Sequence, residues 1–190
     1  MKKLKWKGGA LLAPIPPVMV SCSDGERDNI ITIAWSGMLA TQPPTTYISV
    51  RPSRFSYEMI KKGGEFVINL TDRELTRAAD YCGIYTGAKV DKFEKCKLTK
   101  EKASAVSCPM IAESPLSIEC KVREIIPMGT HDVFIADILA VNVRDDILDE
   151  NGKICMEKAN LTAYAHGEYF ALGKSLGKFG FSATKKKKKR

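Results

Sequence analysis

The chain has 190 residues, 44% of them hydrophobic and 27% charged, a balance typical of one ordinary globular domain and unlike that of a disordered chain. No window approaches eighteen consecutive apolar residues, so no membrane-spanning helix is predicted. The net charge of +8 comes from the two ends. Without the ten basic residues of 1–7 and 185–190, the body has 20 basic and 22 acidic residues and offers no basic face for nucleic acid.

The two ends are predicted to lie outside the folded domain. Residues 1–13 form a basic lead into "GGALLAPIPP", which is too short and too interrupted by proline for a signal peptide. Residues 185–190 form a basic tail, interpreted as a solvated segment, with contacts to nucleic acid or an anionic membrane as the alternative. We therefore expect a cytoplasmic protein with one domain over 14–184 and no nucleic-acid or membrane partner.

Cysteine and histidine usage bears on metals and on compartment. The chain has six cysteines, none in a CxxC pair, and only two histidines. This pattern argues against a metal centre. Scattered thiols fit a reducing compartment better than a disulfide scaffold.

Strand-like runs dominate the chain. Runs rich in β-branched residues and bounded by Pro, Gly or Asp predict strands over 18–22, 30–36 and 45–50. Alternating apolar and polar residues predict another strand over 116–123. The apolar run 133–143 predicts a strand that is either buried on both faces or interrupted by a bulge.

Turns and helices are few. Asn-Gly in "DENGK" (149–153) predicts a hairpin turn. One helix is predicted to begin at Ser53 or Ser56 and to stop at Gly63-Gly64, because serine caps helix starts and glycine ends helices. Further short helices are predicted over 74–81 and 91–95, with a loop over 83–89. The combination indicates a closed or nearly closed antiparallel barrel with short helical inserts.

Hydroxyls and arginines cluster at the start of the first helix. The unpaired N–H groups and positive dipole end of a helix N-terminus attract anions. Arg51 and Arg54 can add charge-assisted hydrogen bonds to phosphate, and Ser49, Ser53 and Ser56 can add hydroxyl donors. The alternative is a capped surface helix with solvated arginines.

Trp35 stands beside small residues in "IAWSG". A tryptophan in a strand is commonly a core residue, but Ala34, Ser36 and Gly37 leave room for a flat ring beside the backbone. Together with the anion site, this spacing fits a flat aromatic ligand that carries a phosphate.

The segment "RAADYCGIYTGAKVDKF" (77–93) offers a third group of candidates. Gly83 permits close approach of a planar ligand, and Lys89 can stabilise negative charge at a ring edge or be solvent-exposed. Cys82 is considered as a nucleophile, although no base lies near it in the sequence.

These motifs, in this order, resemble one known family. The strings "NIITIAWSG", "QPP", "YISVRPSRFSYEMIKKGGEFVINL", "ADYCG", "TGAKVDKFE", "GTHDVFIADILAV" and "YFALGKSLGKFGFS" are similar to the flavin reductase-like FMN-binding split β-barrel family, flavoredoxin branch. The resemblance covers roughly 14–182. It implies a mainly β fold, a six-stranded antiparallel split β-barrel with a few short helices, and a homodimer with FMN near the subunit interface.

The resemblance also implies positions for the cofactor-binding residues. Thr32, Ile33, Ala34, Trp35 and Ser36 would lie along the isoalloxazine, and Ser49, Val50, Arg51, Ser53 and Ser56 at or near the phosphate. Cys82, Gly83 and Lys89 would border the ring, and His131, Tyr169 and Phe170 would lie near the cofactor or the dimer partner.

The chemistry implied is that of the flavin, so no catalytic side chain is predicted. The resemblance implies an FMN-dependent oxidoreductase that takes electrons from NAD(P)H and passes them to a small-molecule or protein acceptor. Two alternatives stay open: a non-catalytic FMN electron carrier between redox proteins, and a nucleic-acid-binding β-barrel that uses the basic ends.

Overall fold

Strands outnumber helices in the computed structural model, which describes residues 1–183. The strands are β1 Val18–Ser23, β2 Asp28–Ile33, β3 Ser36–Thr41, β4 Pro44–Val50, β5 Glu65–Asn69, β6 Lys100–Glu101, β7 Met110–Ile111, β8 Leu116–Pro127, β9 Asp132–Val143, β10 Thr162–Ala165 and β11 Glu168–Ala171. The α-helices are α1 Phe55–Gly63, α2 Thr76–Ile84 and α3 Lys92–Cys96, and short 3-10 helices cover Asp145–Ile147 and Phe181–Ala183.

One antiparallel sheet organises the fold. Its seven strands follow the order β2-β1-β5-β8-β9-β4-β3. β2 and β3 lie at opposite edges of that order, yet only Ala34 and Trp35 separate them in the chain. Because so short a link spans only about 10 Å, the two edges must meet and the sheet must curl into a barrel. The backbone N–H of Ser49 donates to the Trp35 carbonyl at 2.9 Å and fastens this closure.

The barrel is split beside that closure. Within residues 1–183, no ladder of paired residues joins β2 to β4, although both strands contribute to the same core. At the junction, the Ser49 N–H of β4 bonds to Trp35 in the link and not to a residue of β2. The two strands therefore diverge and leave a gap in the barrel wall.

The barrel interior is apolar because alternate residues of each strand face inward. Val18, Val20 and Cys22 of β1 belong to the interior core, together with Phe66 and Phe134. α1 packs Tyr57, Met59 and Ile60 against the same core. A fully buried side chain of this size contributes about 1.5–3 kcal/mol to folding.

A second apolar layer lies outside β1 and β2. Met19 and Ile30 face away from the barrel interior and pack against α2 and α3. The other buried members of this layer are Leu75, Ala79, Cys82, Phe93 and Ile111. This layer fixes α2 and α3 against β2, beside the gap.

The predicted fold class is confirmed, with corrections to individual elements. The sheet has seven strands, where six were predicted, because the run 30–36 breaks at Ala34 and Trp35 and a new strand, β3, begins at Ser36. The strand over 133–143 is interrupted by a bulge at Leu139, one of the two predicted alternatives. The predicted turn in 149–153 is present, with hydrogen bonds between Asp149 and Lys153.

The helices differ from the prediction at their ends. α1 has Arg54 at its N-cap with no side-chain cap, so neither Ser53 nor Ser56 caps it, but it does end at Gly64 in the left-handed region. Gly83 lies within α2 and not in the predicted loop, because α2 runs on to Ile84. No helix in residues 1–183 is long and apolar enough to cross a membrane. The predicted tail, 185–190, lies outside the described residues.

Glu119 is a buried carboxylate that anchors the loop before β7. Its oxygens accept hydrogen bonds from the backbone N–H groups of Ser104, Ala105 and Val106, and from Asn142 Nδ2. Burial by itself would raise the pKa of Glu119, but these hydrogen bonds outweigh it and lower the pKa to about 2. The carboxylate is therefore ionised in the folded protein at neutral pH.

We expect Glu119→Gln to lower the free energy of unfolding at pH 7 by about 2–4 kcal/mol, because an amide cannot accept bonds at both ends. The folded-state pKa is lowered, so the stabilisation is fully present above the ordinary pKa of about 4.5 and fades as pH falls toward about 2. Urea unfolding at pH 7 and pH 3 measures both effects.

The exposed Glu124 of the same strand provides the control, and Glu124→Gln should change the unfolding free energy by less than about 0.5 kcal/mol. A difference between Glu119→Gln and wild type that is equally large at both pH values would contradict the assigned ionisation.

Candidate functional site

An open cleft of about 180 Å³ occupies the gap between β2 and β4. We call it the main cleft, and its lining residues come from the end of β2, the link to β3, the end of β4, the start of α1 and the turn before β9. They are Ile31, Thr32, Ile33, Ala34, Trp35, Ser49, Val50, Arg51, Arg54 and His131. The divergence of the strands exposes backbone edges and side chains together at this point.

Trp35 forms an aromatic wall of the main cleft. Its side chain is 44% exposed, so the core interpretation of this tryptophan is wrong. The His131 ring lies against it, with the ring centroids 4.6 Å apart and the planes tilted by 46°. Burial and the guanidinium groups of Arg51 and Arg54 lower the pKa of His131. The imidazole is therefore neutral at pH 7, and the wall presents aromatic surface without charge.

The main cleft also has a cationic part. Arg51 and Arg54 both line it, and they are held in one tight turn because the Arg54 N–H donates to the Arg51 carbonyl at 3.0 Å. α1 begins directly after Arg54 and has no side-chain cap. Uncapped N–H groups and two guanidinium groups form a strong anion-binding arrangement.

A smaller cleft of about 80 Å³ adjoins the main cleft and shares Ile31 and Arg54 with it. We call it the lysine cleft, because the ammonium of Lys92 lies at its wall. Its remaining residues are Asn29, Ser53, Phe55, Ser56, Cys82, Tyr85, Thr86 and Gly87. The Ser56 hydroxyl is buried here and accepts a hydrogen bond from Asn29 Nδ2 at 2.8 Å.

Lys92 is a buried cation, only 3% exposed. Its Nζ donates to the carbonyls of Ile30 and Cys82, at 2.6 and 2.8 Å. An ammonium has three N–H donors, and these two carbonyls account for two of them. Burial lowers the pKa of Lys92, and an anion bound beside it would offset that shift.

A third cleft of about 250 Å³ is lined by residues of β2, α2 and the β10–β11 hairpin, and it shares Thr32 and Ala34 with the main cleft. We call it the tyrosine cleft, after Tyr164 and Tyr169. Its other residues are Pro17, Asp80, Gly83, Ile84 and Gly167. A side chain at Gly83 would place its Cβ 3.4 Å from Thr32 Cβ. Glycine leaves that space in the cleft wall unfilled.

Most of the predicted site residues converge on these three clefts. Thr32, Ile33, Ala34, Trp35, Ser49, Val50, Arg51 and His131 line the main cleft; Ser53, Ser56 and Cys82 line the lysine cleft; Gly83 and Tyr169 line the tyrosine cleft. The structure brings the tryptophan segment and the arginine segment together in the main cleft.

Three predicted residues lie elsewhere. Ser36 and Phe170 line none of the three clefts. Lys89 lines a separate cleft beside Arg27 and Lys100.

Lys92, a cation that lines the lysine cleft, is not among the residues predicted from the sequence. The available signal was weak: Lys92 follows Asp91, whose side chain caps α3, and precedes the core residue Phe93. A cap followed by a core residue places Lys92 in the first turn of a helix, but it does not predict burial.

Cys82 is not an activated nucleophile. Its thiol is 1% exposed, and burial raises its pKa to about 12. Among residues 1–183, no cluster of His, Cys, Asp or Glu is arranged to hold a metal ion.

The known protein families and solved structures that are similar to this chain agree with this geometry. Residues 12–173 match the Flavin reductase like domain, so the chain belongs to the flavin reductase-like family of flavoproteins. The predicted resemblance is confirmed.

Solved structures and curated relatives extend the match. The flavoredoxin of Desulfovibrio vulgaris (Miyazaki F) is 31% identical and superposes with a TM-score of 0.89 over 96% of this chain and 100% of its own. The flavoredoxin from Methanosarcina acetivorans is 25% identical, with a TM-score of 0.87 over 97% of this chain and 100% of its own. An uncharacterised protein of Archaeoglobus fulgidus is 32% identical over 124 residues, which are 65% of this chain and 70% of that relative.

Proposed function

We propose that the chain binds FMN across the main cleft and its two neighbours, and that it is a flavin-dependent oxidoreductase. The observation that carries the proposal is the convergence of an exposed aromatic wall and an arginine pair on one gap in the barrel. FMN has a flat three-ring system at one end and a phosphate at the other, and the main cleft offers both an aromatic surface and a pair of arginines.

The residues present fit each part of FMN. The ring system would lie along Thr32, Ala34 and Trp35, where the backbone of β2 is accessible. The phosphate would bind Arg51 and Arg54 at the start of α1, and Lys92 is the further cation available from the lysine cleft. The three clefts share residues along β2, so one extended ligand can span them.

The protein's contribution is binding, orientation and control of access. Bound FMN supplies hydride and single-electron chemistry. Neutral His131 holds Trp35 by ring contact without adding charge beside the ring system. The Thr32 hydroxyl donates to the Ala79 carbonyl at 2.5 Å and so holds β2 against α2 at the ring side.

We propose NAD(P)H as the electron donor and a small molecule or a redox protein as the acceptor. The main support is membership of a flavin reductase-like family. The alternative is a non-catalytic FMN electron carrier, favoured by the similarity to two flavoredoxins. A cytoplasmic location is part of the proposal, supported by six cysteines that are all free thiols in the structure.

We further propose that the protein is a homodimer. β3 is an edge strand of the sheet, with Met38 and Leu39 59% and 52% exposed, and Trp35 adjoins it at the mouth of the main cleft. Exposed apolar patches of this kind mark interfaces, and twofold pairing is the commonest way to bury them.

We expect Arg51→Ala to weaken FMN binding about ten- to a hundredfold, because one charge-assisted contact to the phosphate is worth about 1.5–3 kcal/mol. Riboflavin has no phosphate, so its weaker binding should change little. Fluorescence titration with both flavins measures the two affinities. Arg77→Ala, on the exposed face of α2, is the matched control and should bind both flavins like the wild type.

If Arg51→Ala weakens the binding of FMN and riboflavin equally, this residue acts through folding. That result would contradict a phosphate site at the start of α1.

We expect NADH or NADPH to bleach the flavin absorbance of the FMN-loaded protein in anaerobic stopped-flow mixing, within seconds. The reason is that the open main cleft leaves room for a nicotinamide beside the ring system. Bleaching by dithionite but by neither nicotinamide would contradict the reductase and support the carrier.

We expect sedimentation velocity at micromolar concentration to give a dimer, and Leu39→Glu to give a monomer, since a buried unpaired carboxylate strongly destabilises an interface. Leu11→Glu, in the lead, should stay dimeric. A wild-type monomer with FMN bound would contradict the proposed assembly.

A further inference from the structure

Two cysteines face each other beside the lysine cleft. Cys82, in the last turns of α2, and Cys96, the last residue of α3, have their sulfurs 3.9 Å apart. Cys82 is buried, whereas Cys96 is half-buried and reachable from solvent. Because Cys96 ends its helix at the edge of the second core layer, its side chain can rotate toward Cys82 without opening that layer.

We propose that Cys82 and Cys96 form a redox-active dithiol, which closes to a disulfide and thereby restrains the wall of the lysine cleft. A disulfide has its sulfurs about 2.05 Å apart, so the two sulfurs must approach by about 1.9 Å. That closure is within reach of a side-chain rotation and a small shift of the five-residue α3.

The surroundings decide which thiol reacts first. Burial raises the pKa of both thiols, and that of Cys82 reaches about 12. The contact between the two sulfurs raises the pKa of Cys82 and lowers that of Cys96, and the Lys92 ammonium lowers the pKa of both groups. Cys96 therefore ionises before Cys82 and is also the more accessible, so it is the attacking thiol.

The oxidant we propose is a low-molecular-weight disulfide. The Cys96 thiolate attacks one sulfur of that disulfide, forming a mixed disulfide and releasing one thiolate. The Cys82 thiol then loses its proton and attacks Cys96 Sγ, which releases the second thiolate. The protein loses two electrons and two protons, and the external disulfide gains them as two thiols.

The chain segment between the two cysteines contributes four residues to the lining of the lysine cleft. Between Cys82 and Cys96 lie Tyr85, Thr86 and Gly87, all in the cleft wall, and Lys92, whose Nζ donates to the Cys82 carbonyl. Closing the bond ties the C-terminal half of α2 to the end of α3 around that wall. Oxidation should therefore change how the cleft holds an anionic ligand. This coupling rests on the proposed FMN site, whereas the disulfide itself does not.

The first experiment counts thiols. Reduced full-length protein is incubated anaerobically with oxidised glutathione, quenched by alkylation and mapped by mass spectrometry after trypsin digestion. We expect the six thiols of the wild type to fall to four, with peptide 78–89 linked to peptide 96–97. Cys96→Ser should form no internal disulfide, so it should lose any of its five thiols only to mixed disulfides with glutathione. Cys155→Ser replaces a cysteine that is half-buried like Cys96, and its thiol count should fall from five to three.

Several outcomes would overturn the dithiol: six thiols left in the wild type, a link between other cysteines, a glutathione adduct at Cys96 that is never resolved, or the same loss of two thiols in Cys96→Ser.

The second experiment measures FMN affinity of the oxidised and reduced forms. We expect at least a threefold difference in the wild type and in Cys155→Ser, and none in Cys96→Ser. An unchanged affinity overturns the coupling. If neither form binds FMN, the proposed function fails, and the thiol count still decides whether the disulfide forms.

Discussion

The closure of the sheet at Ala34 and Trp35 is the constraint on which the site depends. Two residues must carry the chain from one edge strand of a seven-stranded sheet to the other, so the sheet has to curl. Beyond that link β2 and β4 diverge, and the gap becomes the main cleft. Trp35 is exposed because it occupies the link itself, where neither face is covered by the sheet.

The helices and the turns that precede them place the charges of the site. α1 follows β4 after a tight turn, which places Arg51 and Arg54 in the lining of the gap together with the tryptophan. α2 and α3 pack on the outside of β1 and β2, which places Lys92 beneath the same region. Two cations therefore line a space whose aromatic wall is neutral, and a third lies in the adjoining lysine cleft. This distribution attracts a ligand that is anionic at one end and aromatic at the other.

Local patterns in the sequence predict local features of this structure. The strand over 116–123, the stop of α1 at Gly63-Gly64 and the turn at Asn151-Gly152 each depend on a few neighbouring residues, and each prediction is confirmed. The spacing of the tryptophan and arginine segments predicts one ligand for both, and the resemblance to a known family adds the identity of that ligand, which no local pattern contains.

What the sequence does not predict depends on tertiary contacts. Burial of Lys92 requires two carbonyls from separate elements, those of Ile30 and Cys82, and nothing in "VDKF" indicates them. The break of the strand 30–36 depends on barrel closure, since β-propensity continues through Trp35. Ser56 looks like a cap in the sequence, but its hydroxyl is buried because Asn29 of β2 supplies a donor to it.

The most direct test of the flavin cleft uses Trp35 as its own reporter. The chain has two tryptophans, and Trp6 lies in the basic lead, so the Trp6→Phe variant leaves Trp35 as the sole tryptophan emitter. Titration of that variant with FMN should quench the Trp35 emission to a plateau at one FMN per chain. Binding of FMN, established by ultrafiltration, with unchanged Trp35 emission would place the flavin elsewhere and contradict the account.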